Sequence, residues 1–519
     1  MIKVTALTPT PDDVRVIRDL LRIYFPQIKL LNSWEKAEDK AITNGQESFM
    51  MSKDGLVVPT EEDVPPQEIL FVVAKNNFPM EVKVTLNLEG QVYSQVERVP
   101  AETFREEFTN RERRLLRLAL HKVLKHSWLV DSSPWGILTG VRPLKIVHRL
   151  LDEGLSEERI MLHLTRDFAV SVARARLLFQ VATLQRPLLP DKQETPRLIS
   201  LYVGIPFCPT RCYYCSFPSF SLQQWGHLLE DYLQGLLREI KTLGLVLKEK
   251  RVKVQNVYLG GGTPTILSER QLEVLLEMLE DSFPFIQERE LTVEGGRPDT
   301  LTREKLQILK EHQVTRLSIN PQTMHEKTLV AIGRQHTVQA ILEAYGLARE
   351  IGFPVINMDL IVGLPGEDSF ILRKTLTEVL KLKPENITLH ALAMKRAAYY
   401  RQEKINLPLP AEGQVMMDLA HDCLQDAGYF PYYLYRQKDI FAHGENVGYS
   451  VSGKACLYNI QMMEERQTIL GFGVGSSSKF VNVTDWFLEN IYNPKDIIFY
   501  LERLDEILQR KVDKLQSFL

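Results

Sequence analysis

The sequence predicts an α/β fold for the middle of this 519-residue chain, and three observations support the prediction. Six short runs rich in β-branched and aromatic residues alternate with longer runs of helical apolar spacing between about residues 196 and 395. The helical runs are long enough to connect parallel strands by right-handed crossovers. The residues with unusual chemistry fall at or just after the strand-like runs, where parallel sheets collect ligands. The six strands form either an open sheet or a barrel.

The composition is that of a globular protein and excludes several classes of function. Hydrophobic residues make up 44% of the chain and charged residues 25%, which argues against extensive disorder. The formal net charge of −3 gives no excess of positive charge that would indicate a nucleic-acid or membrane partner. The first residues lack the apolar run of a signal peptide, and no apolar run approaches the roughly 18 residues of a membrane span. We therefore expect a cytoplasmic protein without a membrane span or a nucleic-acid partner.

The amino-terminal region, residues 1–195, contains no chemical motif, and we expect it to be an α+β extension of unknown role. The segment 185–197 has three prolines in 13 residues and reads as a linker, which places a domain boundary after residue 195. Apolar spacing predicts strands at 69–74 and 82–88, and helices at 16–25 and 103–125, after Pro143, from Ser156 and from Asp167 onward.

The middle region, residues 196–395, contains the predicted α/β core, and residues 396–519 are expected to form a mainly helical C-terminal domain. The six predicted strands lie at 199–205, 255–260, 290–294, 316–320, 355–361 and 386–393. The helices between them lie at 222–248, 269–281, 302–312, 338–351 and 371–382. Two further helices are predicted at 412–427 and from residue 494 to the end of the sequence.

Three of the five cysteines lie close together, on the loop after the first predicted strand. Cys208, Cys212 and Cys215 form a C-x3-C-x2-C pattern, and such thiolates suit an iron–sulfur cluster or zinc. Structural zinc takes four ligands, but the next histidine, His227, lies 12 residues beyond Cys215. A [4Fe–4S] cluster held by three thiolates leaves one iron open to a small molecule. Zinc, or buried free thiols, are the alternatives; the other two cysteines, Cys423 and Cys456, are expected to be packing residues.

Four further features stand at predicted strand ends or close behind them. The glycine run at 260–262 lets backbone amides approach the charged end of a ligand, or it is simply a turn. Glu294 ends the third strand, where a charge is commonly solvated. Arg334 either pairs with a carboxylate through two hydrogen bonds or lies on the surface. Asp359 lies in an apolar run, so it needs a ligand or a structural partner, because burying an unpaired carboxylate is costly.

The cysteine pattern, with Tyr214 before its last cysteine, resembles the signature of radical S-adenosylmethionine (SAM) enzymes. The resemblance implies a partial barrel of six βα units and a [4Fe–4S] cluster ligated by Cys208, Cys212 and Cys215. In that family the open iron chelates SAM, and an electron from the cluster splits the sulfonium to give a 5′-deoxyadenosyl radical. No catalytic residue is then required beyond the cluster and SAM.

The order of the other motifs is similar to one subfamily, the oxygen-independent coproporphyrinogen III oxidases, and the long amino-terminal extension resembles its coproporphyrinogen dehydrogenase (HemZ-like) branch. The similarity covers about residues 196–482. Its motifs are Tyr-x-Gly-Ile-Pro-Phe-Cys ending at Cys208, Gly-Gly-Gly-Thr-Pro-Thr from 260, Arg-Leu-Ser from 316, Gly-Arg-Gln-His from 333, and Asp-Leu-Ile-x-Gly-Leu-Pro-Gly from 359. The resemblance implies that one SAM meets Tyr202, Gly261 and Glu294. A second SAM, which the family's oxidase also binds, would meet Tyr214, Gly262, Thr263, Gln322, Arg334, Asp359 and Ala393.

The activity that the resemblance implies is the oxidative decarboxylation of coproporphyrinogen III to protoporphyrinogen IX in heme biosynthesis. A reduced flavodoxin or ferredoxin would supply the electron. A porphyrinogen substrate with four carboxylates needs cationic partners, and the candidates are Lys395, Arg396 and Arg436.

One departure from the pattern keeps a second function open. The family's oxidase carries a fourth cysteine two positions after the third, whereas this sequence has Phe217 there. The heme-chaperone branch of the family does not have that cysteine either. The alternative is a heme-binding carrier of the same superfamily without oxidase activity, in which His336, His390 or His443 is an axial ligand. A third possibility is a radical SAM enzyme that acts on RNA, although no RNA-binding motif supports it.

Overall fold

The computed structural model describes residues 2–7, 11–24, 46–51, 67–77, 80–88, 91–99, 108–128, 133–215, 219–393, 407–437, 440–482, 484 and 487–519. The chain divides into two compact units, Met1–Gln180 and Val181–Leu519. The division falls inside a helix, ahead of the boundary that the sequence predicts after residue 195. That boundary, and the one after residue 395, stay predictions.

The first unit is an α+β unit built on a five-stranded sheet in the order β2-β1-β3-β4-β5. Strands β1 and β3 are parallel, and the other neighbours are antiparallel. On β4, Val82, Val84 and Leu86 are buried at alternate positions, as a strand with one covered face requires. Its strands are β1 (Ile2–Leu7), β2 (Gln46–Met51), β3 (Gln67–Asn77), β4 (Met80–Leu88) and β5 (Gln91–Arg98). Its helices are α1 (Pro11–Tyr24), α2 (Phe108–Trp128), α3 (Leu144–Asp152), α4 (Glu157–Leu162) and α5 (Val172–Gln185), which crosses the division.

The second unit contains a large sheet whose centre is the six predicted strands. They are β6 (Leu198–Ile205), β9 (Lys253–Gly261), β10 (Phe285–Glu294), β11 (Arg316–Ser318), β12 (Ile356–Val362) and β13 (Asn386–Ala391). They are all parallel and neighbour one another in chain order, which confirms the predicted succession of βα units. A short pair, β7 (Phe207–Cys208) and β8 (Phe220–Ser221), follows β6.

The helices between these strands lie close to their predicted positions. They are α6 (Leu222–Trp225), α7 (Leu229–Lys250), α8 (Glu269–Ser282), α9 (Arg303–Glu311), α10 (Glu326–Ala331), α11 (Val338–Ile351) and α12 (Ser369–Leu382). Side chains of Ser268, Thr302, Thr337 and Asp368 accept hydrogen bonds from the first turns of α8, α9, α11 and α12. Gly352 ends α11 in the left-handed conformation. These caps explain why sequence spacing locates the helix ends so well.

The C-terminal part contains the two predicted helices and also extends the sheet at both edges. Its helices are α13 (Pro410–Asp426), α14 (Leu457–Glu464), α15 (Ile497–Glu502) and α16 (Leu504–Phe518). Its strands are β14 (Phe430–Tyr435), β15 (Asn446–Ser450), β16 (Thr468–Phe472), β17 (Ser477–Val481) and β18 (Leu488–Tyr492). The described strands form an open order, β14-β15-β13-β12-β11-β10-β9-β6-β16-β17-β18. Among the helices that the structure describes, none is long and apolar enough to cross a membrane.

Candidate active site

A cavity of about 530 Å³ lies at the carboxyl ends of the parallel strands. Its walls include the three cysteines and all ten predicted cofactor-binding residues, so the structure brings this set together in one place. These residues are Tyr202, Cys208, Cys212, Tyr214, Cys215, Gly261, Gly262, Thr263, Glu294, Gln322, Arg334, Asp359 and Ala393. Because these residues lie on or after the six parallel strands, this convergence is what a parallel βα arrangement produces. Their roles as ligands remain predictions.

The three cysteines of the loop are half-buried free thiols, and two of them have hydrogen-bond donors on their sulfur atoms. Thr263 Oγ1 lies 3.6 Å from Cys208 Sγ, and Arg297 Nη1 lies 3.4 Å from Cys212 Sγ. Burial raises the pKa of the Cys208 thiol to about 11. Among the described residues the three thiols are not drawn together into a metal-binding arrangement, but three cysteines on one loop, two of them with donors to sulfur, have the chemistry of iron–sulfur ligands. Phe217 lies outside the described residues.

Arg297 is a site residue that the sequence analysis missed. It is almost fully buried and donates from Nη2 to Thr210 Oγ1 at 2.7 Å, in addition to its contact with Cys212. Asp299 lies 3.4 Å from its Nε atom. Its position in the sequence could have identified it, because Arg297 follows Glu294, at the end of a predicted strand, by only three residues. Arg297 therefore fastens the cysteine loop to the loop after β10.

The glycine run does not present its amides to a ligand, and this part of the prediction was wrong. The N–H of Gly261 donates to Glu294 Oε2, that of Gly262 to Ile205 O, and that of Thr263 to Phe207 O. The run is therefore tied to the start of the cysteine loop and to β10.

We expect Gly262→Ala to destabilise the protein by about 1–3 kcal/mol, because the core here has no room for a methyl group. A Cβ atom at this position would lie 2.5 Å from the carbonyl oxygen of Phe207 and 2.9 Å from that of Ile205. The free energy of unfolding in urea measures the effect. Gly346→Ala is the matched control: nothing lies within 4 Å of its Cβ, and it should stabilise α11 by about 0.5–1 kcal/mol. A Gly262→Ala protein as stable as the wild type would contradict the close packing.

Glu294 is half-buried at the end of β10 and belongs to a cluster of tyrosines. Its Oε1 accepts from Tyr258 OH at 2.6 Å, and burial raises the pKa of the carboxyl to about 7. Tyr258 stacks on Tyr458 with ring centroids 4.6 Å apart, and Tyr202 stacks against both rings. Glu294 is thus part of the cavity wall and is not an ordinary solvated charge. Its pKa of about 7 lies close to neutral pH.

Asp359 has structural partners as well as a position on the cavity wall. Asn357 Nδ2 donates to its Oδ1 at 2.8 Å, and His390 Nε2 lies 3.7 Å from its Oδ2. Burial opposes ionisation, but hydrogen bonds from His390, Asn357 and Thr388 bring the pKa of Asp359 below its ordinary value. The carboxylate is therefore ionised near neutral pH. The backbone of Gln322 donates to Asp359 O at 2.9 Å and holds a positive φ of 66°. Such strain is frequent at functional sites.

Arg334 connects two loops of the site, and both of its Nη atoms already donate hydrogen bonds. Its Nη1 donates to Asn320 O at 2.5 Å, and its Nη2 donates to Tyr214 OH at 3.2 Å. Only its buried Nε lacks a partner among the described residues. Pairing of Arg334 with a carboxylate through two hydrogen bonds would have to include Nε, and it stays a prediction. Arg334 links the cysteine loop to the loop after β11.

The candidate heme ligands and carboxylate partners are distributed unevenly. His390 lines the cavity, whereas His336 and His443 do not. Arg436 is buried and does not line the cavity, although Tyr435 and Gln437 on either side of it do. Lys395 and Arg396 lie outside the described residues. The arginines on the described cavity wall are Arg211, Arg297 and Arg334.

The C-terminal part supplies one whole side of the cavity, which the sequence analysis did not predict. These residues come from β14, β15, α14 and the loop after β16. They are Tyr433, Tyr435, Gln437, Asn446, Tyr458, Asn459, Met462, Met463, Val474, Gly475, Ser476 and Ser477. The wall is rich in tyrosine, amide and methionine side chains, and such mixed surfaces suit a large and partly apolar ligand.

Comparison with known proteins gives the family to which the chain belongs. Residues 202–377 match the family described as the Radical SAM superfamily. The chain is 42% identical over 389 residues to the oxygen-independent coproporphyrinogen-III oxidase-like protein HemZ of Bacillus subtilis (strain 168), a match that covers 74% of this chain and 78% of that protein. It is 36% identical over 218 residues to the heme chaperone HemW of the same organism, covering 41% of this chain and 56% of the chaperone.

A solved structure, that of the coproporphyrinogen III oxidase HemN from Escherichia coli, is also similar. The TM-score is 0.49 at 25% identity, with 63% of this chain and 72% of that chain covered. The family match over residues 202–377 and the 42% identity to the Bacillus subtilis protein show that the chain is a member of the radical SAM superfamily, whose members use a [4Fe–4S] cluster and SAM. Within it, the chain belongs to the oxygen-independent coproporphyrinogen III oxidase family, on its HemZ-like branch.

Proposed function

We propose that this protein is a radical SAM oxidoreductase that decarboxylates coproporphyrinogen III to protoporphyrinogen IX without oxygen. The observation that carries the proposal is the single cavity that combines three cysteines, Glu294 and the tyrosine-rich C-terminal wall. The 42% identity to a protein named oxidase-like supports the substrate class. Each of two propionate side chains would lose a hydrogen atom, carbon dioxide and one electron to become a vinyl group, the electron passing to a one-electron acceptor outside the chain.

Two groups of residues would have different roles in this reaction: the cysteine loop would bind the cluster, and the C-terminal wall would bind the substrate. Cys208, Cys212 and Cys215 would hold the cluster, with Arg297 and Thr263 stabilising the negative charge on the sulfurs. When bound, the reduced cluster and SAM together supply the radical chemistry that removes a hydrogen atom from the substrate. The C-terminal wall would hold the tetrapyrrole against that point and exclude water. A flavodoxin or ferredoxin would deliver the electron.

We place one SAM at the side of the cavity formed by Tyr202, Gly261 and Glu294. The carboxylate of Glu294 and the carbonyl oxygens of the glycine run are acceptors, and the amino group of SAM is a cation with three donors. A second SAM would have to use the other predicted residues, which are Tyr214, Gly262, Thr263, Gln322, Arg334, Asp359 and Ala393. The number of SAM molecules bound per chain, measured by equilibrium dialysis under anaerobic conditions, distinguishes one site from two.

The decisive experiment incubates the anaerobically reconstituted protein with SAM, dithionite and coproporphyrinogen III. Protoporphyrinogen formation together with SAM cleavage, faster with the porphyrinogen than without it, supports the proposal. SAM cleavage without any decarboxylated product contradicts the oxidase function. Salt-sensitive binding of RNA in the same preparation would point to an RNA substrate instead.

A heme carrier is the second candidate, and two observations favour it. The sequence has Phe217 where the oxidases have a fourth cysteine, and the chain is 36% identical over 218 residues to a heme chaperone. His390 lines the cavity, and the Asp359 carboxylate beside it would orient the imidazole as an axial ligand. Binding of one heme per chain, lost in His390→Ala, without protoporphyrinogen formation would favour the carrier.

The ionisation of Glu294 predicts a pH dependence of SAM binding. With a pKa of about 7, Glu294 is mostly protonated at pH 6 and mostly ionised at pH 8. Only the ionised form attracts the amino group of SAM, so the affinity should be about tenfold weaker at pH 6 than at pH 8. Isothermal titration calorimetry at pH 6, 7 and 8 measures the slope, and Glu294→Gln should remove it.

Glu367→Gln is the matched control for this prediction. Burial also raises the pKa of Glu367 to about 7, but its carboxylate accepts from Thr323 Oγ1 and does not line the cavity. This variant should retain the pH slope of SAM binding. If the slope persists in Glu294→Gln, another group controls the pH dependence.

A further inference from the structure

Helix α14 forms a part of the cavity wall that the cofactor residues do not explain. It contributes Tyr458, Asn459, Met462 and Met463, whose spacing places them on one face of the helix. The ring of Tyr458 lies against Tyr258, which in turn donates to Glu294. The position of this short helix therefore sets both the shape of the C-terminal wall and the tyrosine cluster around Glu294.

The amino-terminal end of α14 has no cap from its own segment. Instead, a carboxylate from strand β10 takes this place: Glu290 accepts from Leu457 N at 3.0 Å and from Tyr458 N at 3.1 Å. The thiol of Cys456 donates to the same carboxylate at 3.3 Å. Free N–H groups at a helix start need acceptors, and a negative charge there is favoured by the helix dipole. Glu290 thus caps the amino-terminal end of α14.

Arg316, at the start of β11, holds the residues just before α14. Its Nη1 donates to Lys454 O at 3.0 Å and to Ala455 O at 3.5 Å, and its Nη2 donates to the side chain of Asn386. Its Nε lies 3.7 Å from Glu290. Both charged side chains are nearly buried, and both line a separate cavity of about 640 Å³. They therefore lie outside the predicted cofactor site.

The geometry of β10 explains how Glu290 and Arg316 are connected to the active site although they do not line its cavity. Glu290 and Glu294 lie four residues apart on β10, so their side chains leave the same face of the strand. One binds the start of α14, and the other binds Tyr258 beneath the ring of Tyr458. Strand β10 thus contacts α14 directly through Glu290 and indirectly through Glu294 and Tyr258.

We propose that the Glu290–Arg316 pair is a positioning device that seats α14 and thereby aligns the substrate with the radical site. The proposal rests on the proposed function for its catalytic consequence, but not for the seating of the helix. Loss of the Glu290 charge releases the first turn of α14. Tyr458 and the two methionines then no longer present one fixed wall to the substrate, and misalignment of this kind costs catalysis heavily.

The test compares Glu290→Gln with Glu288→Gln, an exposed glutamate on the same strand. Hydrogen–deuterium exchange should show loss of protection confined to residues 457–464 in Glu290→Gln and no change in Glu288→Gln. With SAM and coproporphyrinogen III, the number of SAM molecules cleaved per product formed should rise at least fivefold in Glu290→Gln, while the visible spectrum of the cluster stays unchanged.

Each outcome decides the proposal. Unchanged exchange in α14, or a loosened α14 with unchanged SAM cleavage per product, overturns it. If the wild type makes no product, the proposed function fails, and the exchange experiment together with the SAM affinity of the same two variants then decides the seating of α14 alone. If Glu290→Gln does not fold, the double variant Glu290→Leu/Arg316→Met, which removes both charges, is measured in the same way with the same criteria.

Discussion

Replacing Cys212 by serine is expected to abolish the visible absorbance of the anaerobically reconstituted protein and to lower SAM cleavage to background. A serine hydroxyl is a poor ligand for iron, and with only two thiolates left the loop cannot hold a cubane cluster. Arg297 Nη1 also donates to this sulfur, and such a cationic donor would stabilise the negative charge of a cluster thiolate. Iron and inorganic sulfide per chain, together with the spectrum, measure the effect.

Cys423→Ser is the matched control, because Cys423 is a free thiol on α13 outside the cysteine loop. It should keep the full iron content and spectrum. If Cys212→Ser retains its absorbance and SAM cleavage, the three-cysteine cluster is wrong and the radical SAM function of this chain with it. Cys208→Ser and Cys215→Ser should behave as Cys212→Ser does.

The parallel core could be predicted because local patterns determine it. The run from Ile356 to Val362 is apolar and bounded by turns, and the helix Val338–Ile351 carries its own cap at Thr337. Strand β10 was predicted too short, because its first half, from Phe285 to Glu290, is largely polar and partly exposed. That half is recognisable only when its neighbour β9 is present to pair with it.

The candidate site could be predicted where residues stand at strand ends, but not where distant segments meet. Glu294 and Gln322 are found from their position at or just after the end of a predicted strand, and Asp359 is found from its place in an apolar run. The wall that carries Tyr433 and Tyr458 depends on β15 pairing with β13 and on Glu290 capping α14, and sequence spacing contains no record of either contact. The amides of the glycine run were assigned to a ligand because their partners, two carbonyls of the β6–β7 segment, become neighbours only in the folded chain.

The largest expected effect on stability comes from a buried charge network beside the cavity. Glu239 on α7 has no exposed surface and accepts four hydrogen bonds. The donors are Lys511 Nζ at 2.6 Å, Asn493 Nδ2 at 3.1 Å, Tyr500 OH at 2.8 Å and the backbone N–H of Gly473 at 2.8 Å. Gly473 begins the loop whose next four residues, 474–477, line the cavity. The network therefore connects the last helix of the chain to the active-site wall.

Lys511→Met should lower the free energy of unfolding by about 3–5 kcal/mol, because it leaves the Glu239 carboxylate buried without its cation. Lys511 is 1% exposed and also donates to Gly471 O at 2.5 Å, so a second buried acceptor loses its partner. The urea unfolding transition, followed by circular dichroism, measures the loss. Lys514→Met, on the same helix, removes a partly exposed pair with Glu489 and should cost at most about 1 kcal/mol.

The double variant Glu239→Gln/Lys511→Met separates the two possible reasons for such a loss. If the cost arises from an unpaired buried charge, removing both charges should recover a large part of it, since a neutral amide can still accept from Gly473 and donate to a neighbour. If the cost arises from lost packing of the lysine side chain, the double variant should be no more stable than Lys511→Met. Equal losses in Lys511→Met and Lys514→Met would show that the burial of the network does not matter.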